Sequence, residues 1–127
     1  MSKDVKQVIV IRKDLKMRRG KEIAQGSHAS MAFLLKGDAT QGEIDEWLKQ
    51  GQTKVCLKID NEEDFYKIYK EAKENSLIVN MITDAGRTDA GNGRGNPTNT
   101  CLAIGPNYSE DIDKITGPSG SNPCKLY

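Results

Sequence analysis

Three polar side chains suited to chemistry follow a basic segment near the start of the chain. Lys21, Gln25 and His28 stand at positions i, i+4 and i+7, a spacing that places them along one stripe of a helix. An ammonium group at a helix start can stabilise a developing oxyanion, because the N-terminus adds unpaired N–H groups and a positive dipole end. A single histidine among residues such as Ala32 and Leu35 is more typical of packing than of catalysis, so His28 is assigned a supporting role.

A second polar cluster, DAGRT, occupies residues 84–88. Asp84 could orient or deprotonate a water molecule, Thr88 and the later Thr100 could hold water or substrate by hydrogen bonds, and Arg87 could support them. The cluster could equally be a turn in which Arg87 pairs with Asp84. The sequence has no nucleophile elbow, P-loop, dinucleotide fingerprint or metal triad, so it favours an activated water over a covalent serine.

Positive charge is concentrated at the start of the chain. Residues 1–21 contain eight Lys or Arg residues against two Asp, although the net charge of the whole chain is only +1. Such a segment produces a local field suited to phosphate-rich partners, and a solvated charged loop is the alternative. Its position at a strand-to-helix junction favours an anionic, RNA-like substrate. The cations in question are Lys13, Lys16, Arg18 and Arg19.

Hydrophobic periodicity predicts alternating strands and helices. Strands are expected at residues 7–11, 54–59, 77–83 and 100–105, and helices at 21–36, from Thr40 to 50, at 60–75 and at 109–115. In the first helix, Ile23, Ser27, Met31 and Leu34 share one stripe. Its small residues would let it lie close against the sheet: Ala24, Gly26, Ser27, Ala29, Ser30 and Ala32. Helical crossovers between the first three strands imply that those strands are parallel. The predicted fold is a three-layer α/β/α sandwich with a mixed, mostly parallel four-stranded sheet.

This arrangement would bring the polar clusters together. Ligands of open α/β sheets bind beyond the carboxyl ends of the strands, where Lys21 and Asp84 would both be delivered. The glycine-rich residues 89–99 and the break at 118–123 have no pattern of their own, and long loops of this kind are often functional.

Length and composition set the remaining limits. With 127 residues, the chain is expected to form one domain, residues 1–127. No apolar run approaches the ~20 residues of a membrane span, and no secretory signal is visible, so a cytoplasmic protein is expected. Cys56, Cys101 and Cys124 lack metal-site spacing and predict free thiols rather than a zinc site.

Several motifs together resemble the peptidyl-tRNA hydrolase 2 family of archaea and eukaryotes. They are VIVIRKDLKM (8–17), RGK (19–21), AQGSHA (24–29), GQTKV (51–55), DAGRT (84–88), Thr100 followed by LAIGP (102–106), IDKITG (112–117) and the final KLY. They occur in order over nearly the whole chain. The combination is specific, although each motif alone is weak.

The resemblance implies a mixed-sheet α/β fold and a cytosolic enzyme that hydrolyses the ester between a peptide and tRNA, recycling stalled peptidyl-tRNA. It also implies no metal or organic cofactor, and usually a homodimer. It assigns activity to Lys21, Asp84, Thr88 and Thr100, with support from Gln25, His28 and Arg87. The basic residues Lys13, Lys16, Arg18 and Arg19 would contact the tRNA backbone.

The chain departs from the family pattern in two segments that are longer than usual, between Thr88 and Thr100 and between Gly117 and the final KLY. These changes affect loop geometry and leave the core motif positions intact. The competing hypothesis is a non-catalytic RNA- or protein-binding module on the same fold. A pure binding module would have little use for the Asp84 carboxylate beside phosphates, which favours the enzyme.

Overall fold

A computed structural model describes residues 3–85 and 96–127. These residues form strands and helices in the order β1 (Val5–Arg12), α1 (Arg19–Lys36), α2 (Gln41–Lys49), β2 (Lys54–Ile59), α3 (Glu62–Glu74), β3 (Val79–Asp84), β4 (Thr98–Tyr108), α4 (Ser109–Thr116) and β5 (Lys125–Leu126), with a 3-10 turn at Lys13–Leu15 after β1. Within the same residues, no helix combines the length and apolar character that crossing a bilayer requires.

The strands of the described chain make one five-stranded sheet in the order β3-β4-β1-β2-β5. Only β1 and β2 pair in parallel, whereas β4 is antiparallel to both β1 and β3, and β5 is antiparallel to β2. The predicted mixed α/β class is therefore confirmed, but the mostly parallel four-stranded sheet is wrong. The physical reason is that β4 inserts between β3 and β1. Strands β1, β2 and β3 do run in one direction, as their helical crossovers require, but β3 does not border the other two.

Helices cover both faces of the sheet. On one face, Val8 and Val10 of β1 pack with Leu102 and Ile104 of β4 against a cluster that includes α3 and α4. On the other face, Ile11, Ala29, Cys101 and Ala103 form a second cluster beneath α1, and α2 contributes Trp47 to a third. Because β1 lies inside the sheet and is covered on both faces, its nearly continuous apolar run is explained.

Helix α1 lies close to the sheet through its small residues. Ala29 and Ala32 are buried, whereas Ile23, Met31 and Leu34 are 64%, 53% and 50% exposed. The expected close approach to the sheet through small residues is therefore confirmed at Gly26, Ala29 and Ala32. The stripe of Ile23, Met31 and Leu34 faces away from the sheet, because the short distance between helix and sheet admits only small side chains.

Side-chain caps fix two of the helix starts. Thr40 caps α2 by a complete capping box with Glu43, as the sequence predicts. Helix α3 is capped by Asn61, whose side chain accepts a hydrogen bond from the Asp64 N–H group, one residue later than the expected cap at Asp60.

The segment at 118–123, expected to be flexible, is held by backbone hydrogen bonds. The N–H groups of Ser121 and Asn122 donate to the carbonyls of Lys114 and Ile115 at 3.0 and 2.8 Å. This wrapping around the end of α4 directs the chain to β5, which pairs with the edge of β2. A two-residue strand is too short to be recognised from its pattern.

Gly105 lies where β4 passes closest to β1. It has φ of +106°, and a Cβ atom there would lie 2.5 Å from the Lys6 carbonyl oxygen. Both the left-handed backbone and the contact with another strand's main chain require glycine at this position.

We expect Gly105→Ala to lower the free energy of unfolding by about 2 kcal/mol or more, because β1 must move to admit the methyl group. Denaturant unfolding measures the change. The control is Gly42→Ala in α2, where the nearest atom to a new Cβ is the Thr40 Oγ1 at 3.9 Å. This control should be neutral or stabilising by up to about 1 kcal/mol. Equal effects of the two substitutions would contradict the packing argument.

Candidate active site

The first turn of α1 and the end of β3 bring together an ion pair. The Lys21 Nζ lies 3.0 Å from the Asp84 Oδ1, and the two side chains are only 16% and 10% exposed. Strands β1 and β3 end at the same edge of the sheet, which is why a helix that follows β1 can reach the last residue of β3. Lys21 and Asp84 therefore meet at this edge, as the sequence predicts.

Gln25 lies one turn further along α1 and faces β4. The Thr100 hydroxyl, which is completely buried, donates a hydrogen bond to the Gln25 Oε1 at 2.6 Å. The amide oxygen is thereby occupied, and the amide NH₂ group remains as the donor end of Gln25. Thr100 thus contacts Gln25 and has no exposed surface of its own.

Of the remaining residues predicted to be catalytic or supporting, one lies within the described part of the chain. His28 is exposed on α1, contrary to the expectation of a packed residue. Thr88 and Arg87 lie outside the described residues.

Solvent-exposed cations flank the ion pair. Lys16, in a left-handed conformation after the 3-10 turn, and Arg18 and Arg19, at the start of α1, are all exposed. Arg18 is the N-cap residue of α1 and makes no side-chain capping bond. These positive side chains therefore surround a helix N-terminus, an arrangement that attracts phosphate groups.

Lys13 differs from Lys16, Arg18 and Arg19 because its side chain is bonded to other side chains of the protein. Its Nζ donates to the Tyr127 hydroxyl at 2.6 Å and lies 3.5 Å from the Glu22 Oε2. Tyr127 in turn donates to the Glu22 Oε1. The hydrogen bond with Tyr127 raises the pKa of Lys13, which keeps its charge fixed over the neutral range. The contacts among Lys13, Tyr127 and Glu22 connect the chain after β5 to the first turn of α1.

Arg12 is a residue whose importance the sequence did not reveal. It is 3% exposed at the end of β1, where it pairs with Asp14 at 2.7 Å and Glu62 at 3.1 Å and donates to the Asn99 carbonyl at 2.9 Å. The sequence feature that could have revealed it is a charged residue directly after the apolar run of a buried strand. Its contacts join the segment after β1, the start of α3 and the start of β4.

The cysteines offer no nucleophile at neutral pH. Burial raises the pKa of Cys101 to about 12 and that of Cys124 to about 11. The Cys56 thiol also has a raised pKa because it is partly buried. A thiol reacts through its thiolate, so these shifts disfavour all three cysteines as nucleophiles at neutral pH.

Comparisons with known proteins identify the family of the chain. The family model described as peptidyl-tRNA hydrolase PTH2 matches residues 5–118. A peptidyl-tRNA hydrolase of Methanocaldococcus jannaschii is 45% identical over 114 residues, covering 89% of this chain and 96% of the relative. The relative of the same name from Methanopyrus kandleri is 43% identical over 112 residues, covering 88% and 93% of the two chains. A third, from Nanoarchaeum equitans, is 43% identical over 114 residues, covering 89% and 95%. The chain therefore belongs to the peptidyl-tRNA hydrolase PTH2 family.

Proposed function

We propose that this protein is a peptidyl-tRNA hydrolase, which cleaves the ester between a peptide, or an N-blocked amino acid, and tRNA. Family membership supports the activity, and the partly buried Lys21–Asp84 pair carries the assignment of the site. The reaction releases stalled peptidyl-tRNA for reuse. We place the enzyme in the cytoplasm and assign its activity to residues 1–127 as a single catalytic domain.

The ion pair supplies complementary groups for attack by water. The Asp84 carboxylate accepts a hydrogen bond from water and directs an oxygen lone pair at the ester carbonyl carbon. As the C–O bond forms, negative charge develops on the carbonyl oxygen, and the Lys21 ammonium and the N-terminus of α1 stabilise it. The attacking water gives up one proton as it bonds to the carbonyl carbon. Collapse of the intermediate then breaks the bond to the ribose oxygen, which takes up that proton and leaves as a hydroxyl.

The neighbouring residues orient these groups. Gln25, fixed by Thr100, directs its amide NH₂ toward substrate or water, since its oxygen is engaged at 2.6 Å. We assign Thr88 to holding the water or substrate, and Arg87 and His28 to supporting positions around the site.

The exposed cations provide the tRNA contacts. Lys16, Arg18 and Arg19 are accessible at the start of α1, next to Lys21, so they can bind phosphates while the ester reaches the ion pair. Lys13 contributes positive potential to the same surface from its fixed position beside Tyr127. Contacts of this kind depend on backbone charge and shape rather than on base sequence.

We also propose that two copies associate through α1. Ile23, Met31 and Leu34 are exposed there, and the first two border a groove of about 970 Å³ that is also lined by Ile9 and Cys56. Because the exposed stripe lies beside the groove, a two-fold axis can place each copy's stripe against the other's groove.

The catalytic assignment predicts that Lys21→Ala and Asp84→Asn each lower kcat/KM for N-acetyl-aminoacyl-tRNA at least tenfold. The first substitution removes the oxyanion's cation, and the second removes the carboxylate that receives the water's hydrogen bond. Deacylation of blocked and free aminoacyl-tRNA measures the effect. Lys70→Ala, at an exposed position of α3, is the matched control and should retain full activity. Binding of the blocked substrate by the wild-type protein without turnover would identify a binding module instead.

The tRNA contacts predict a steep salt dependence. Removing Arg18 or Arg19 should weaken binding to different tRNAs by similar factors and reduce the slope of log K against log salt by about 1 for each lost contact. Fluorescence anisotropy over a salt series measures both quantities. Lys73→Ala on α3 should leave the slope unchanged. A sequence-selective loss of affinity, or an unchanged slope for both arginine variants, would contradict backbone binding at this surface.

The dimer proposal predicts a sedimenting species with twice the 14.0 kDa mass of the chain. Met31→Glu should shift the population toward monomer, since it places a charge in the apolar contact. Leu48→Glu, at an exposed apolar position on α2, is the control and should leave the mass unchanged. A monomeric wild-type protein at micromolar concentration would refute the dimer while leaving the catalytic assignment intact.

A further inference from the structure

The side chains of β4 break their alternation at Thr100. Cys101 and Ala103 point into the cluster beneath α1, and Leu102 and Ile104 point to the opposite face. A regular strand would therefore direct Thr100 away from α1, on the same side as Leu102. Instead, its hydroxyl bonds to Gln25 of α1 at 2.6 Å, and Cys101 also bonds to the Gln25 carbonyl at 3.3 Å.

A β-bulge produces this reversal. Ile82 of β3 pairs with Cys101, but the next residue, Thr83, pairs with Asn99. Thr100 is thus the extra residue, with no partner of its own on β3. Bulges of this kind redirect a side chain and commonly occur beside functional sites. Here the bulge places Thr100 on the same face of the sheet as Asp84.

The residue before the bulge is held from three directions. The Thr83 hydroxyl donates to the Asn99 Oδ1 at 2.6 Å, and the Asn99 Nδ2 donates to the Tyr66 hydroxyl at 2.7 Å. The buried Arg12 guanidinium donates to the Asn99 carbonyl at 2.9 Å. These bonds join β3, α3 and the end of β1 to a single residue, and they hold it opposite Thr83.

We propose that Asn99 is a positioning residue, which fixes the bulge that holds Thr100 against Gln25 on the face of the Lys21–Asp84 pair. Without the Asn99 amide, β4 can take up regular pairing, with Thr100 opposite Thr83. The Thr100 hydroxyl would then turn toward α3, and Gln25 would lose the bond that orients its amide.

The inference rests on the proposed hydrolase function, and its test includes a measurement independent of activity. In Asn99→Ala, we expect kcat for N-acetyl-aminoacyl-tRNA to fall about tenfold with KM changed less than twofold, because the tRNA contacts are untouched. Asn99→Asp should keep kcat within about threefold of wild type, since a carboxylate can accept bonds from both Thr83 and Tyr66. The matched control is Asn75→Ala, at the far end of α3.

A double-mutant cycle then tests the route of the effect. If Asn99 acts through Thr100, adding Asn99→Ala to Thr100→Val should cause no further loss of kcat. In parallel, NMR should show the nuclear Overhauser contact between the Thr100 methyl group and the Gln25 side chain in wild type and its loss in Asn99→Ala.

Three results would overturn the positioning role. The first is an unchanged kcat in Asn99→Ala. The second is that Asn99→Ala lowers kcat by the same factor in the Thr100→Val background as in wild type. The third is a loss of kcat that parallels a loss of thermal stability and is not rescued by Asn99→Asp. If the wild-type protein lacked hydrolase activity, the proposed function would fail, while the NMR contact would still decide whether Asn99 fixes the bulge.

Discussion

A partly buried ion pair between Lys21 and Asp84 is the interaction on which the site depends. Removing two charges from water is costly, and their mutual attraction often fails to offset that cost, so such a pair is a poor device for stability alone. The fold nevertheless holds the two groups 3.0 Å apart from positions far apart in the sequence. The first turn of α1 and the last residue of β3 meet because β1 and β3 end at one edge of the sheet. The catalytic role proposed for the pair gives a reason for this cost.

The support of this pair is distributed over both faces of the sheet. On the α1 face, Gln25 and Thr100 are joined by a hydrogen bond. On the α3 face, Asn99 is bound to Thr83 and Tyr66. Arg12 connects the same region to the start of α3 through Glu62. The apolar core lies further along the strands, so the polar groups occupy the end of the sheet where they can reach a large substrate. Rigid elements, rather than loops alone, thus carry Lys21, Gln25 and Asp84.

The sequence was sufficient for some parts of this arrangement and insufficient for others. The common direction of β1, β2 and β3, and hence the meeting of Lys21 with Asp84, followed from the helical crossovers. The insertion of β4 between β3 and β1 did not, because strand order depends on pairings between distant segments. The close approach of α1 through Ala29 and Ala32 was predictable from their small size, whereas the exposure of Ile23 and Met31 was not, because both also share an apolar stripe. Nor did local pattern show the bulge at Thr100, which is defined only against β3. Arg87 and Thr88 remain predictions.

The central place of β4 also bears on how the protein is made. Strand β1 pairs with β4 across about a hundred residues of chain, so contacts that complete the sheet are mostly distant in sequence. Topologies of this kind fold slowly compared with those built from local contacts. During synthesis, one side of β1 has no partner until residues 98–108 have left the ribosome, and an open apolar strand edge is prone to join other chains. The nascent protein therefore depends on its own late-emerging strand, or on a chaperone, to protect the edge of β1 until the sheet is complete.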